Sequence, residues 1–129
     1  MALQRYGDFA VEWTRVYAAR RIVKDGRAEE LLLYVDAPHL PAGQPTSPSL
    51  NAKQIQTAWE QVEADRRFIL FGDLAIDKAR VCAVALTAGE LHGNVGFELG
   101  ANRGVNLVLP AEVVRPVLDS VPEPRQGGH

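Results

Sequence analysis

The sequence predicts an α+β fold: a bent antiparallel sheet or partly open small β-barrel of about six strands, one packed helix near residues 51–66, and a short C-terminal helix near 110–119. Three observations carry that expectation. Residues 67–109 read RFILFGDLAIDKARVCAVALTAGELHGNVGFELGANRGVNLVL, apolar runs punctuated by glycine-bearing turns, as antiparallel strands require. An Asp25-Gly26 pair, a strong hairpin signal, divides two β-rich runs. Residues 51–66 repeat apolar side chains at helical spacing.

Length and charge narrow the function classes. A chain of 129 residues is expected to form one domain, placed at 1–121, with 122–129 as a disordered tail. A hydrophobic content of 47% supports a packed core, and the net charge of −2 gives no global field of the kind a nucleic-acid binder carries. The N-terminus MALQRYGDFAVEW has no apolar core of a signal peptide. No apolar run approaches 18 residues, so no membrane partner is expected. One cysteine, Cys82, allows neither an intramolecular disulfide nor a cysteine-based zinc site. An unpaired thiol favours a reducing compartment, and a cytoplasmic protein is expected.

In chain order, residues 1–7 are read as a loose lead-in. From Asp8, Phe9, Val11 and Trp13 alternate with Ala10, Glu12 and Thr14, which favours a strand over a competing helix. A two-residue loop at Asp25-Gly26 would pair residues whose numbers sum to 51 across strands 13–24 and 27–36. Arg21 then faces Glu30, Arg15 faces Asp36, Tyr17 faces Tyr34 and Val16 faces Val35. Charged and aromatic cross-strand pairs of this kind stabilise by about 0.2–1 kcal/mol each. Val16, Ala18, Ile22, Leu31, Leu33 and Val35 form the expected core face. Tyr17, Ala19, Leu32 and Tyr34 fall on the outer one.

Residues 37–49 hold Pro38, Pro41, Pro45 and Pro48, which forbid a central strand or a helix. They are read as a surface crossover loop, with a proline-rich partner motif as the alternative. Asn51 and Gln54 then form a capping box, with Leu50 placed to staple onto Ile55. Ala52, Ile55, Ala58, Trp59 and Val62 make one apolar stripe to about Arg66. Trp59 anchors it, as a core residue against the sheet or, if exposed, as an interface hot spot.

Further strands are expected at 68–71, at 74–76 beyond a Gly72-Asp73 turn or bulge, at 80–86, at 95–99 and at 105–109. Residues 80–86 are apolar on both faces, which predicts a central strand and a buried Cys82. Pro110 suits a first helical position. Pro116 interrupts the helix that follows, as a kink or as two single turns.

No catalytic motif emerges, and no catalytic residue, cofactor or metal ligand is assigned. His92 and Glu90 would share a strand face, but a metal needs more ligands than two. Asp73 and Asp77 would join them only if strand ends meet. A triad assembled in space leaves no local motif. Gly93, Gly96, Gly100 and Gly104 match neither a dinucleotide fingerprint nor a P-loop. They read as hairpin turns plus a glycine where another backbone approaches closely, or as a ligand-contacting loop with Asn94, Asn102 and Arg103 as donors. The expected function is a non-catalytic protein-interaction or assembly module, an adaptor or self-associating subunit, whose candidate interaction residues are Tyr17, Tyr34, Trp59, His92, Asn94 and Arg103. The alternatives are a small-barrel protein that stacks single-stranded nucleic acid on Tyr17 and Tyr34, and a small ligand-binding or enzymatic domain using the 93–104 loops.

Overall fold

The computed structural model describes residues 3–124. It has an α+β fold with three antiparallel sheets, and none of them closes into a barrel. The first is a small hairpin, β1 (Gln4–Tyr6) and β2 (Phe9–Val11): β1 lies where a loose lead-in was expected, and β2 within the strand expected from Asp8. Gly7 turns it at φ 62°. The hairpin is held by its aromatic residues: the Trp13 indole N–H donates to the Tyr6 hydroxyl at 2.9 Å, with the rings edge to face. Trp13 therefore does not continue the strand. It opens a single 3-10 turn, Trp13–Arg15, that steers the chain into the main sheet.

That sheet has the order β4-β3-β6-β5. Strands β3 (Val16–Lys24) and β4 (Arg27–Val35) meet at Asp25 and Gly26, both at positive φ (54° and 74°), as a two-residue hairpin turn of matching twist requires. The register sums to 51 at both ends, Lys24 with Arg27 and Val16 with Val35, but to 52 from Ala18 to Ile22. Two bulges cause the slip, each inserting one residue and changing which side chains share a face. Arg21 accordingly pairs with Leu31, not Glu30, and Tyr34 with Ala18, not Tyr17.

The proline loop crosses the open edge of β4, where Leu33 and Thr46 exchange backbone hydrogen bonds. Helix α1 (Ala52–Ala64) starts at the expected capping box: Gln54 N–H donates to Asn51 Oδ1, and Asn51 N–H to Gln54 Oε1. It ends two residues earlier than expected, at Ala64, because Asp65 caps it in an extended conformation. Ile55, Ala58, Trp59 and Val62 are buried along one face. A tight turn at Gly72, φ 62°, joins β5 (Phe68–Phe71) to β6 (Leu74–Asp77). Strand β6 lies between β5 and β3, and each of its four residues is buried.

The third sheet is a meander of β7 (Val81–Leu86), β8 (His92–Gly100) and β9 (Arg103–Pro110). Strand β7 is an edge, not a centre, and Cys82 on it is exposed. Pro110 caps α2 (Ala111–Asp119) from just outside, and the helix runs unbroken through Pro116. Residues 122–124 have no regular structure. The rest of the expected disordered tail lies outside the described residues.

Two apolar clusters sit on opposite faces of the four-stranded sheet. On one, α1 packs over Val16, Ala19, Leu31 and Leu33. On the other, the three-stranded sheet and α2 bring Val95, Phe97, Leu107, Leu109, Val114 and Val117 onto Tyr17, Ala18, Tyr34, Leu74 and Ile76. The face expected to be outward is thus as buried as the core face. No helix of the described residues is long and apolar enough to cross a membrane.

Candidate interaction surface

The six candidate residues separate into four places, with Tyr17 and Tyr34 in one apolar cluster and Trp59 in the other. Tyr17, Tyr34 and Trp59 are core side chains, 1%, 5% and 1% exposed. The Tyr17 ring packs on Tyr34 and Phe97 with centroids 6.2 and 5.2 Å away, and its hydroxyl accepts the Gly43 N–H of the proline loop. A stacking platform for bases needs open rings, so these two tyrosines do not form one. Burial raises both hydroxyls above the usual tyrosine range. Trp59 meets the sheet of its own chain, with the Arg21 guanidinium 4.8 Å above its ring.

Arg103 belongs to a chain of ion pairs where the ends of the two larger sheets meet. Its Nη2 donates to both oxygens of Asp36 at 2.9 Å. Asp36 also lies 3.6 Å from Arg80, Arg80 3.5 Å from Asp77, Asp77 3.4 Å from Arg67, and Arg67 3.0 Å from Asp65. Asp77 is buried and also accepts the Ala79 N–H, which satisfies a carboxylate that would otherwise be costly to bury. At Asp65 burial pushes the pKa up, but hydrogen bonds and charge from Arg67 outweigh it and hold the carboxyl below its usual range. Asp73 stands at the other end of β6 and pairs with Arg21 at 2.8 Å, so it does not meet Asp77. Among the described residues no group of three or more His, Cys, Asp or Glu is placed to hold a metal. Sequence inspection missed this chain of charges because its links span up to 67 positions. The available signal was an Asp or Arg at one end or both of most strands.

His92 and Asn94 share a surface with residues the sequence did not single out. Residues paired across antiparallel strands point to one face. The rows Ala83–Gly96–Asn106 and Ala85–Asn94–Val108 therefore form one side of the three-stranded sheet. Rows Val84–Val95–Leu107 and Leu86–Gly93–Leu109 form the other, the inner side. Gly93 is forced there: a Cβ would lie 2.8 Å from the Ala85 carbonyl oxygen and 3.1 Å from Val114, a close approach of the predicted kind. The outer side carries exposed Ala83, Ala85, Asn106 and Val108, with His92 at one end and Glu98 at the other. Its side chains next to β7 are small, and no described segment covers it. The 93–104 stretch is thus strand β8, a two-residue turn with Asn102 at φ 62°, and the start of β9, and Glu98, Gly100, Asn102, Arg103 and Gly104 line a shallow cleft beside Cys82.

The edge of this surface is β7, VCAVAL, six residues without a charge. Native edges are ordinarily blunted by charge, proline, shortness or cover. Strand β4 carries charged residues and is crossed by Thr46, and β5 is four residues long. Strand β9 ends in proline and has Gly43 against Val105 and Asn106. Strand β7 has only a bulge between Val81 and Ala83, which leaves Ala83 to Leu86 regular. Beside it runs a groove of about 280 Å³ lined by Val81, Cys82, Ala83, Val84, Leu118 and Val121. Val121 is 56% exposed.

In comparisons with protein-family models, curated proteins and solved structures, nothing matches this chain.

Proposed function

We propose that this chain is a non-catalytic interaction or assembly module that takes a protein strand along the outer edge of β7. One observation carries this: β7 is an uncharged edge whose outward backbone groups have no partner among the described residues. An extended strand added there would satisfy those groups, and affinity in this mode comes from main-chain hydrogen bonds with side-chain pockets adding specificity. The apolar groove at Leu118 and Val121 supplies such a pocket. The small side chains of Ala83 and Ala85 leave the face beside the edge open for further contact. The same proposal places the protein in the cytoplasm, where an exposed thiol such as Cys82 stays reduced.

Photocrosslinking in cells tests this. A benzophenone side chain replacing Ala85 on β7 should give a discrete adduct, and one replacing Glu60 on the exposed side of α1 should not. Equal adducts at both positions, or none at Ala85, would remove the β7 edge as the binding surface.

A further inference from the structure

We infer that the notch between the far end of β3 and the first turn of α2 binds a free α-amino acid with an apolar side chain. This site is separate from the β7 edge, and neither depends on the other.

Unequal strand lengths make the notch. Strand β3 has nine residues and β6 has four. Their pairing runs from Ala18 to Arg20, and one further hydrogen bond, donated by the Arg21 N–H to the Asp73 carbonyl, closes it. Beyond that point β3 continues to Lys24 with no strand on its β6 side. The cleft left there has a volume of about 280 Å³, and Ile22, Phe71, Val113 and Pro116 give it apolar walls. Pockets for drug-sized ligands hold about 300–1,000 Å³, so this one suits a smaller molecule.

Arg20 and Glu112 give the cleft its charge. Arg20 lies opposite Leu32 on β4 and Leu74 on β6. It therefore stands on the sheet face that α2 and the three-stranded sheet cover. It is partly buried, and no ion pair of the described residues includes it. A guanidinium withdrawn from water without a partner costs free energy. Glu112, in the first turn of α2, is exposed and likewise outside those ion pairs. Opposite charges thus border one cleft without meeting. The other two charged groups there, Arg21 and Asp73, already pair with each other at 2.8 Å.

The two unpaired charges select the ligand. An anion alone would suit Arg20 and be repelled by Glu112. A cation alone would do the reverse, and a neutral molecule would leave both unpaired. A zwitterion matches both. Its carboxylate accepts from the Arg20 guanidinium, whose fork of donors fits a carboxylate, and its ammonium donates to Glu112. An apolar side chain on the same carbon then has the walls at Ile22, Phe71 and Val113 to pack on. Leucine carries all three parts in one small molecule.

Titrating the full chain with L-leucine, followed by amide NMR, tests this. Signals around residues 20–23, 71–74 and 112–115 should shift, and those of β1 and β2 should stay still. Leucinamide lacks the carboxylate and N-acetylleucine lacks the ammonium. Each should bind about tenfold more weakly than leucine, because each loses one charge-assisted bond. Arg20→Gln and Glu112→Gln should each weaken leucine by about tenfold, and Arg20→Gln should not weaken leucinamide further. Should Arg20→Gln fail to fold, Glu112→Gln decides together with N-acetylleucine, since Glu112 is exposed. Leucine that shifts no signal in the notch up to its solubility limit overturns the inference. So does a blocked analogue that binds as well as leucine, or leucine binding that neither substitution weakens.

Discussion

Replacing Trp59 by alanine should destabilise the fold itself, not an association. The side chain is 1% exposed and lies in the cluster that joins α1 to Val16, Ala19, Leu31 and Leu33. Truncating a buried tryptophan costs about 3–5 kcal/mol through lost transfer energy and the cavity left behind. The Arg21 guanidinium above the ring adds about 0.5–1 kcal/mol, although Arg21 keeps its ion pair with Asp73. Domains of ordinary stability have about 5–15 kcal/mol in all, so the loss is a large share. Melting followed by circular dichroism should fall by roughly 10–20 °C, by the same amount at every protein concentration, and Trp59→Phe should recover part of it. A Trp59→Ala protein that melts like the wild type but no longer self-associates would refute the reasoning and move α1 from core to interface.

Double-mutant cycles should find no coupling between Arg21 and Glu30, and about 0.5–1 kcal/mol between Arg21 and Asp73, measured by urea unfolding; the reverse would restore the uniform sum-of-51 register. Cys82 is exposed, so a thiol reagent should label it at nearly the same rate in native and denatured protein, whereas slow native labelling would place it inside. Burial raises the Tyr17 and Tyr34 hydroxyls above 10.0, so the folded state holds protons that the unfolded chain releases. Their contribution is complete below pH 10 and is lost as the pH climbs through the raised values. The urea midpoint of the wild type should fall more steeply above pH 10 than that of Tyr34→Phe, and parallel curves would contradict this.

What was legible in the sequence was local. The Asp25-Gly26 turn and the Asn51/Gln54 capping box depend on residues at most three positions apart, and both formed as expected. The α1 stripe was legible for the same reason, although its end was not, because Asp65 caps on contacts with Arg67 and not on helix periodicity. The bulges that slip the first hairpin leave no mark in composition, and a slip of one residue turns a side chain to the other face. Here the slip exchanges the faces expected of Ala18 and Ala19. Tyr17 and Tyr34 keep the face expected of them, but the second sheet, which buries it, lies some sixty to ninety positions further on. Strand β7 misled for a different reason. Apolar residues on both faces suggested a centre, but those on its outer face are alanine and cysteine, small enough to stand in water at little cost. Of the candidate surface only His92 and Asn94 were found. The edge beside them is defined by what pairs with it, which one strand's residues do not state.

The two halves of the core are also separated in time. Everything packed around α1 is encoded by the first 77 residues, and the opposite cover of the four-stranded sheet comes from residues 81–119. On a ribosome adding about 5–20 residues per second, the sheet can form with α1 on one side while Tyr17, Tyr34, Leu74 and Ile76 wait bare on the other for roughly 2–8 s. The nascent chain thus displays an apolar sheet face that the finished molecule hides, at the stage when chaperones engage. Ribosome-bound chains stalled with Lys78 just outside the exit tunnel should bind a hydrophobic dye strongly, and chains released after Ser120 should not.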